Sequence, residues 1–121
     1  MITEGLLIYL TADDVEALAR DLAAPPSFQR WILDLTSPAL LRMLQERMAP
    51  LDRAAPLKFA PPDGPAFFAR TGWRPLEVRG LLMTAAGLKR LPLRMRLFAL
   101  FPDSAGRGGS RPWGGVCLME R

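Results

Sequence analysis

Apolar positions in this chain come in short groups separated by prolines, glycines and charged residues, and each group has a readable period. Residues 2–10 (Ile-Thr-Glu-Gly-Leu-Leu-Ile-Tyr-Leu) read as the end of a buried strand passing into a loop or turn. Thr11 then has the residue type of a helix N-cap, Asp14 stands three positions on as in a capping box, and Asp13 complements the helix dipole. Val15, Leu18, Ala19 and Leu22 follow at helical spacing, and Pro25-Pro26 stops the helix at about Ala24.

The run from Arg30 to Leu35 is short, mostly apolar and bounded by turn residues, which predicts a buried strand. Ser37-Pro38 supplies an N-cap and a first-turn proline for a second helix reaching about Met48, with Leu40, Leu41, Leu44 and Met48 as its apolar stripe. Residues 50–62 are rich in proline and alanine, an irregular stretch anchored by Leu57 and Phe59. Asp63-Gly64-Pro65 begins a short helix carrying Phe67 and Phe68, and Gly72 has the residue type that ends it. Trp73 to Leu81 reads as a strand, with Pro75 marking an edge or an entry position. Residues 82–101 carry helical segments interrupted by Gly87 and Pro92, residues 103–112 have the composition of a flexible loop, and Trp113 to Met119 is a final strand. Strands alternating with helices predict an α/β domain with a partly parallel sheet.

Composition narrows the chemistry. The chain has 121 residues, enough for one domain, and is 50% hydrophobic and 23% charged, the balance of a globular protein. With no histidine, imidazole general bases and histidine metal sites are excluded, and the single cysteine excludes an internal disulfide. No apolar run approaches the ~18–20 residues that span a bilayer, and the first residues lack a basic region and cleavage site, so a cytoplasmic location is expected. The net charge of +4 is carried almost wholly by arginines spread along the chain and interleaved with acids up to about residue 79, the pattern of a solvated surface. A small basic nucleic-acid-binding domain is therefore the least supported reading.

Candidate chemistry is sparse. Glu4 and Gly5 follow a strand, where an α/β sheet presents its ligand crevice; an ordinary loop acid satisfies the same spacing. Asp34 sits in an apolar strand run and suits either a ligand contact or a local structural role near Ser37, with nothing in the spacing to choose between them. Cys117, flanked by Val116, Leu118 and Met119, reads as a buried inert thiol. Gly106 to Gly109 precedes a strand rather than a helix, which is a connection and not a phosphate loop. Trp31, Trp73 and Trp113 each head a strand and are explained by packing. No metal site is expected, and no residue stands out as a catalytic base.

Several segments occur in an order that resembles a known family. They are Glu4-Gly-Leu-Leu-Ile-Tyr-Leu with Thr11-Ala-Asp-Asp, then Leu35-Thr-Ser-Pro, then Phe67-Phe-Ala-Arg-Thr-Gly-Trp-Arg, then Arg111-Pro-Trp-Gly-Gly-Val-Cys-Leu-Met-Glu-Arg. Together they resemble the C-terminal half of the leucine carboxyl methyltransferase-like family, class I S-adenosylmethionine (SAM)-dependent O-methyltransferases that include bacterial polyketide-type enzymes. The resemblance implies the C-terminal part of a doubly wound, Rossmann-like sheet: the end of the family's fourth strand, its fifth, and its closing sixth and seventh. The antiparallel seventh (Trp113 to Met119) would lie between the fifth and the sixth (Trp73 to Leu81). It implies SAM as cofactor, with Glu4 as its contact and Gly5 and Leu6 lining the same turn. The acceptor, a carboxylate or hydroxyl of a small molecule or protein, would meet residues 50–66 and 82–101.

The family's glycine-rich loop and its ribose-binding acid belong upstream of the segment matching Glu4. The 121 residues are thus expected to be a single partial domain, a truncated form lacking the N-terminal cofactor-binding half. Negligible SAM affinity and no activity are expected of it alone. An apolar sheet edge would be left open for self-association or for a separately encoded first half. The alternative is a non-catalytic remnant serving as a binding or dimerisation module.

Overall fold

Among the described residues, the starts of two α-helices are built by the residues that announce them. In the computed structural model, which describes residues 1–49, 55–81 and 111–121, Thr11 Oγ1 accepts the Asp14 amide at 3.2 Å and Asp14 Oδ2 accepts the Thr11 amide at 3.3 Å. This capping box opens α1, Ala12–Ala23. The hydroxyl of Thr11, and then its backbone amide, hold the Asp14 carboxyl below its ordinary value. Ser37 Oγ accepts the Leu40 amide at 3.2 Å to cap α2, Pro38–Met48. The segment Gly64–Thr71 forms a 3-10 helix rather than an α-helical turn, and Gly72 ends it at φ 88°.

Among the described residues four strands form one mixed sheet: β1 (Ile2–Thr3), β2 (Arg30–Thr36), β3 (Arg74–Gly80) and β4 (Gly114–Glu120). Their spatial order is β1-β2-β4-β3. β1 runs parallel to β2, and β4 is antiparallel to both β2 and β3, so the last strand of the chain is inserted between its two predecessors. Among the described strands β3 pairs with β4 alone, an edge position at which Pro75, having no amide hydrogen, is tolerated. A register irregularity between Pro75 and Glu77 leaves Leu76 about half exposed.

Two strand expectations need correction. The opening segment is not a buried strand: it is two residues at the sheet edge, and Ile2 is 68% exposed, because it pairs with β2 on one side and no described strand covers the other. β2 is buried on one face only. Trp31, Leu33 and Leu35 are buried, whereas Arg30 and Ile32 are exposed, since α1 and the 3-10 helix pack on one side of the sheet. The predicted helical stretch and glycine-rich loop, 82–110, and residues 50–54 lie outside the described residues.

The core lies on the α1 side of the sheet. Val15 and Ala19 of α1 meet Trp31, Leu33, Cys117 and Met119 from the two central strands, and Phe67, Phe68 and Trp73 close the end. Leu57 and Phe59 are buried, as anchors of the irregular stretch must be. The three tryptophans are core residues: Trp31 Nε1 donates to Thr3 Oγ1 at 3.0 Å and Trp73 Nε1 to the Ala19 carbonyl at 2.9 Å. Trp113 is 7% exposed, and its indole nitrogen has no partner among the described residues.

Cys117 is fully buried, and burial, reinforced by the nearby Asp34 carboxylate, pushes its thiol up to about 12 from an ordinary value of 9.0. The unfolded chain releases this proton near the ordinary value while the folded chain keeps it. The folded state thus binds more protons across that window, and stability falls as pH rises through it. Denaturant midpoints from about pH 8 to about pH 11 should show this decline in the native chain and a flatter one in Cys117→Ala. Identical slopes would mean that the thiol is not shielded.

Candidate functional site

The carboxyl ends of β1 and β2, where open α/β sheets present their crevice, converge on one cleft of about 300 Å³. Its floor is formed by Asp34, Leu35 and Thr36 at the end of β2, with Gly5 just beyond β1 and Gly114 at the start of the antiparallel β4. Its walls are apolar: Ile8, Leu40, Leu44, Met48, Leu57 and Leu81. Tyr9, 40% exposed, stands at the rim.

Hydrogen bonds hold the walls from the 3-10 turn, the irregular stretch and α2 in place. The Ile8 carbonyl accepts the amides of Lys58 (2.7 Å) and Phe59 (3.1 Å), which ties the 3-10 turn Leu7–Tyr9 to the irregular stretch. Gln45 Nε2 donates to the Leu57 carbonyl at 2.8 Å, fixing that stretch to α2. Ser37 has a second role besides capping. Its hydroxyl accepts the Trp113 amide at 2.8 Å and donates to the Arg111 carbonyl at 3.0 Å, while its own amide donates to the Trp113 carbonyl at 2.7 Å. That cluster fastens the entry of β4 to the start of α2.

The polar feature of the floor is Asp34. Its Oδ1 accepts the Gly5 amide at 2.9 Å, and Gly5 adopts φ 61°, a left-handed conformation that glycine adopts without steric cost. Of the two roles left open for Asp34, helix capping falls to Ser37 itself, and the carboxylate instead anchors the turn after β1. Gly5 lines the cleft. Glu4 and Leu6 flank it on the same turn, both exposed, and the Glu4 carboxylate makes no hydrogen bond or ion pair among the described residues.

From residues 50–66, Leu57 lines the cleft, whereas 82–101 lie outside the described residues. The walls contributed by α2 were legible only as a generic apolar stripe. In the structure Leu40, Leu44 and Met48 are half-buried, a little less enclosed than Ala39 and Leu41, and nothing in their spacing marks that difference. Among the described residues no group of three or more His, Cys, Asp or Glu could hold a metal ion, and no helix is long and apolar enough to cross a membrane. A scan against protein-family models, a search of curated proteins and a search of solved structures each returned no match.

Proposed function

We propose that this chain is the acceptor-side portion of a SAM-dependent O-methyltransferase, needing a glycine-rich cofactor-binding segment, joined or separate, to complete the sheet. The observation that carries the reading is the strand order β1-β2-β4-β3, with an antiparallel last strand inserted beside three parallel ones. This is the order implied by the resemblance for the end of the fourth strand, the fifth, the seventh and the sixth. The cleft at the carboxyl ends of β1 and β2 adds to it.

The residues present suit one flank of the cofactor. The exposed Glu4 carboxylate can accept hydrogen bonds from a hydroxyl or ammonium, Gly5 lets the backbone come close, and Leu6 (43% exposed) offers apolar contact. Bound SAM supplies a sulfonium methyl to an acceptor oxygen. The chain's own part is to hold that acceptor in line and out of water, which the apolar walls of the cleft do, and such positioning carries much of the rate in a displacement of this kind. The exposed outer edge of β1, with Ile2 open to solvent, is where the completing strand would add. The same edge would serve a remnant that only pairs with partners.

SAM titration calorimetry separates the two readings, using the 121-residue chain and the form isolated from its own source, with the intact mass of each measured. The expected result is no saturable binding by the 13.4 kDa chain and clear binding by a source form that includes the glycine-rich segment. Glu4→Gln in that form should weaken binding by about tenfold, the effect of losing a charge-assisted hydrogen bond. A source form of 13.4 kDa, without partner or SAM binding, would sink the enzyme reading and leave the remnant.

A further inference from the structure

We infer that the cleft takes a small, uncharged, largely apolar molecule that presents a hydroxyl to Asp34, and that it rejects carboxylates. Six apolar side chains wall it, whereas its one charged lining group among the described residues is Asp34, and no described lysine or arginine lines it. An anionic ligand entering such a site sheds its hydration without meeting a cation among the described residues and is repelled by the carboxylate on the floor. A hydroxyl has the opposite fate. Asp34 Oδ1 is engaged by the Gly5 amide, while Oδ2 has no hydrogen-bond partner among the described residues and remains an acceptor for an incoming O–H. A volume of about 300 Å³ is at the small end of ligand pockets, enough for a one- or two-ring compound.

As a naming of the methyl acceptor, a hydroxyl rather than a carboxylate, this rests on the methyl-transfer reading. As a statement about binding it stands without it. The probes are 2-naphthol and 2-naphthoate, matched in size and differing in charge at neutral pH, titrated into the 121-residue chain while the backbone amide resonances of Gly5 and Gly114 are followed. Naphthol is expected to shift both saturably, and naphthoate to bind about tenfold more weakly, the scale of a like-charge contact at partial burial. Asp34→Asn keeps an acceptor for the Gly5 amide and should narrow or reverse that preference. Naphthoate binding as tightly as naphthol in the native chain would overturn the inference, as would shifts confined to residues away from the cleft or no binding by either probe. Naphthol preference in a completed enzyme that transfers no methyl group would instead sink the methyl-transfer reading and leave this one intact.

Discussion

Gly115→Ala is expected to cost about 3 kcal/mol or more, at or beyond the upper end of what overpacking usually costs and a large share of a small domain's stability. Gly115 sits in the middle of the sheet, paired with Leu35 on one side and Gly80 on the other. A Cβ there would lie 2.4 Å from Trp113 Cζ2 and 2.7 Å from the Arg79 carbonyl oxygen. The carbonyl belongs to the neighbouring strand and can retreat only by opening the β3–β4 ladder. The indole is packed at 7% exposure and has little room to swing. Gly114 provides the control, because its Cβ would touch only the tip of Leu40 at 3.0 Å, with the remaining neighbours at 3.8 Å. Gly114→Ala should therefore be much milder. Urea denaturation of both variants checks the contrast, and equal costs would refute the close approach of Trp113 and β3 to Gly115.

Trp31→Ala is expected to cost about 4 kcal/mol, within the range for emptying a buried aromatic site. Trp31 is fully buried at the centre of the core and meets Phe68 and Trp73 edge to face, with centroids 5.4 and 5.6 Å away. It also anchors the sheet edge, since its indole N–H donates to Thr3 Oγ1 in the short strand β1. Trp31→Phe keeps part of the ring packing and loses that bond, so it should fall between the native chain and the alanine variant. Thr3→Val removes the acceptor alone and leaves the indole unsatisfied, at a cost of about 1–3 kcal/mol. The ordering Ala worst, Phe intermediate is read from denaturant midpoints. A Phe variant as unstable as Ala would mean that the bond to β1, and not the ring packing, dominates.

The elements were legible to different degrees, for physical reasons that particular residues make plain. The capping residues Thr11 and Ser37 and the stops Pro25 and Gly72 act within one helical turn of their own positions, so reading them required only their neighbours. The same holds for the strand at Trp113 to Met119, a short apolar run of strand length. The mistake about β2 had a specific cause. A continuous apolar run suits a strand buried on both faces, yet Ile32 is exposed because α1 and the 3-10 helix cover only the opposite side. The site was less legible than the fold. Gly5, which lines the cleft, could be singled out from the strand-to-turn position, but its partnership with Asp34 could not.

Within the span of a few residues, side-chain type and spacing therefore decide where helices begin and end, which segments are extended and which chemistry is excluded. Histidine catalysis by these 121 residues is ruled out whatever the fold. The order of the strands, the single covered face of β2 and the seating of Trp113 against Gly115 follow from the summed burial of segments far apart in the chain. So do the Gly5–Asp34 bond, spanning 29 positions, and the Ser37–Trp113 bond, spanning 76. A twofold period says which side chains share a face of a strand, but it leaves open which neighbour pairs with it and what lies against it. The cleft belongs to that second class. Its lining comes from two turns, a helix, the irregular stretch at Leu57 and three strand ends or flanks, and no local pattern marks residues that meet only when the sheet is assembled.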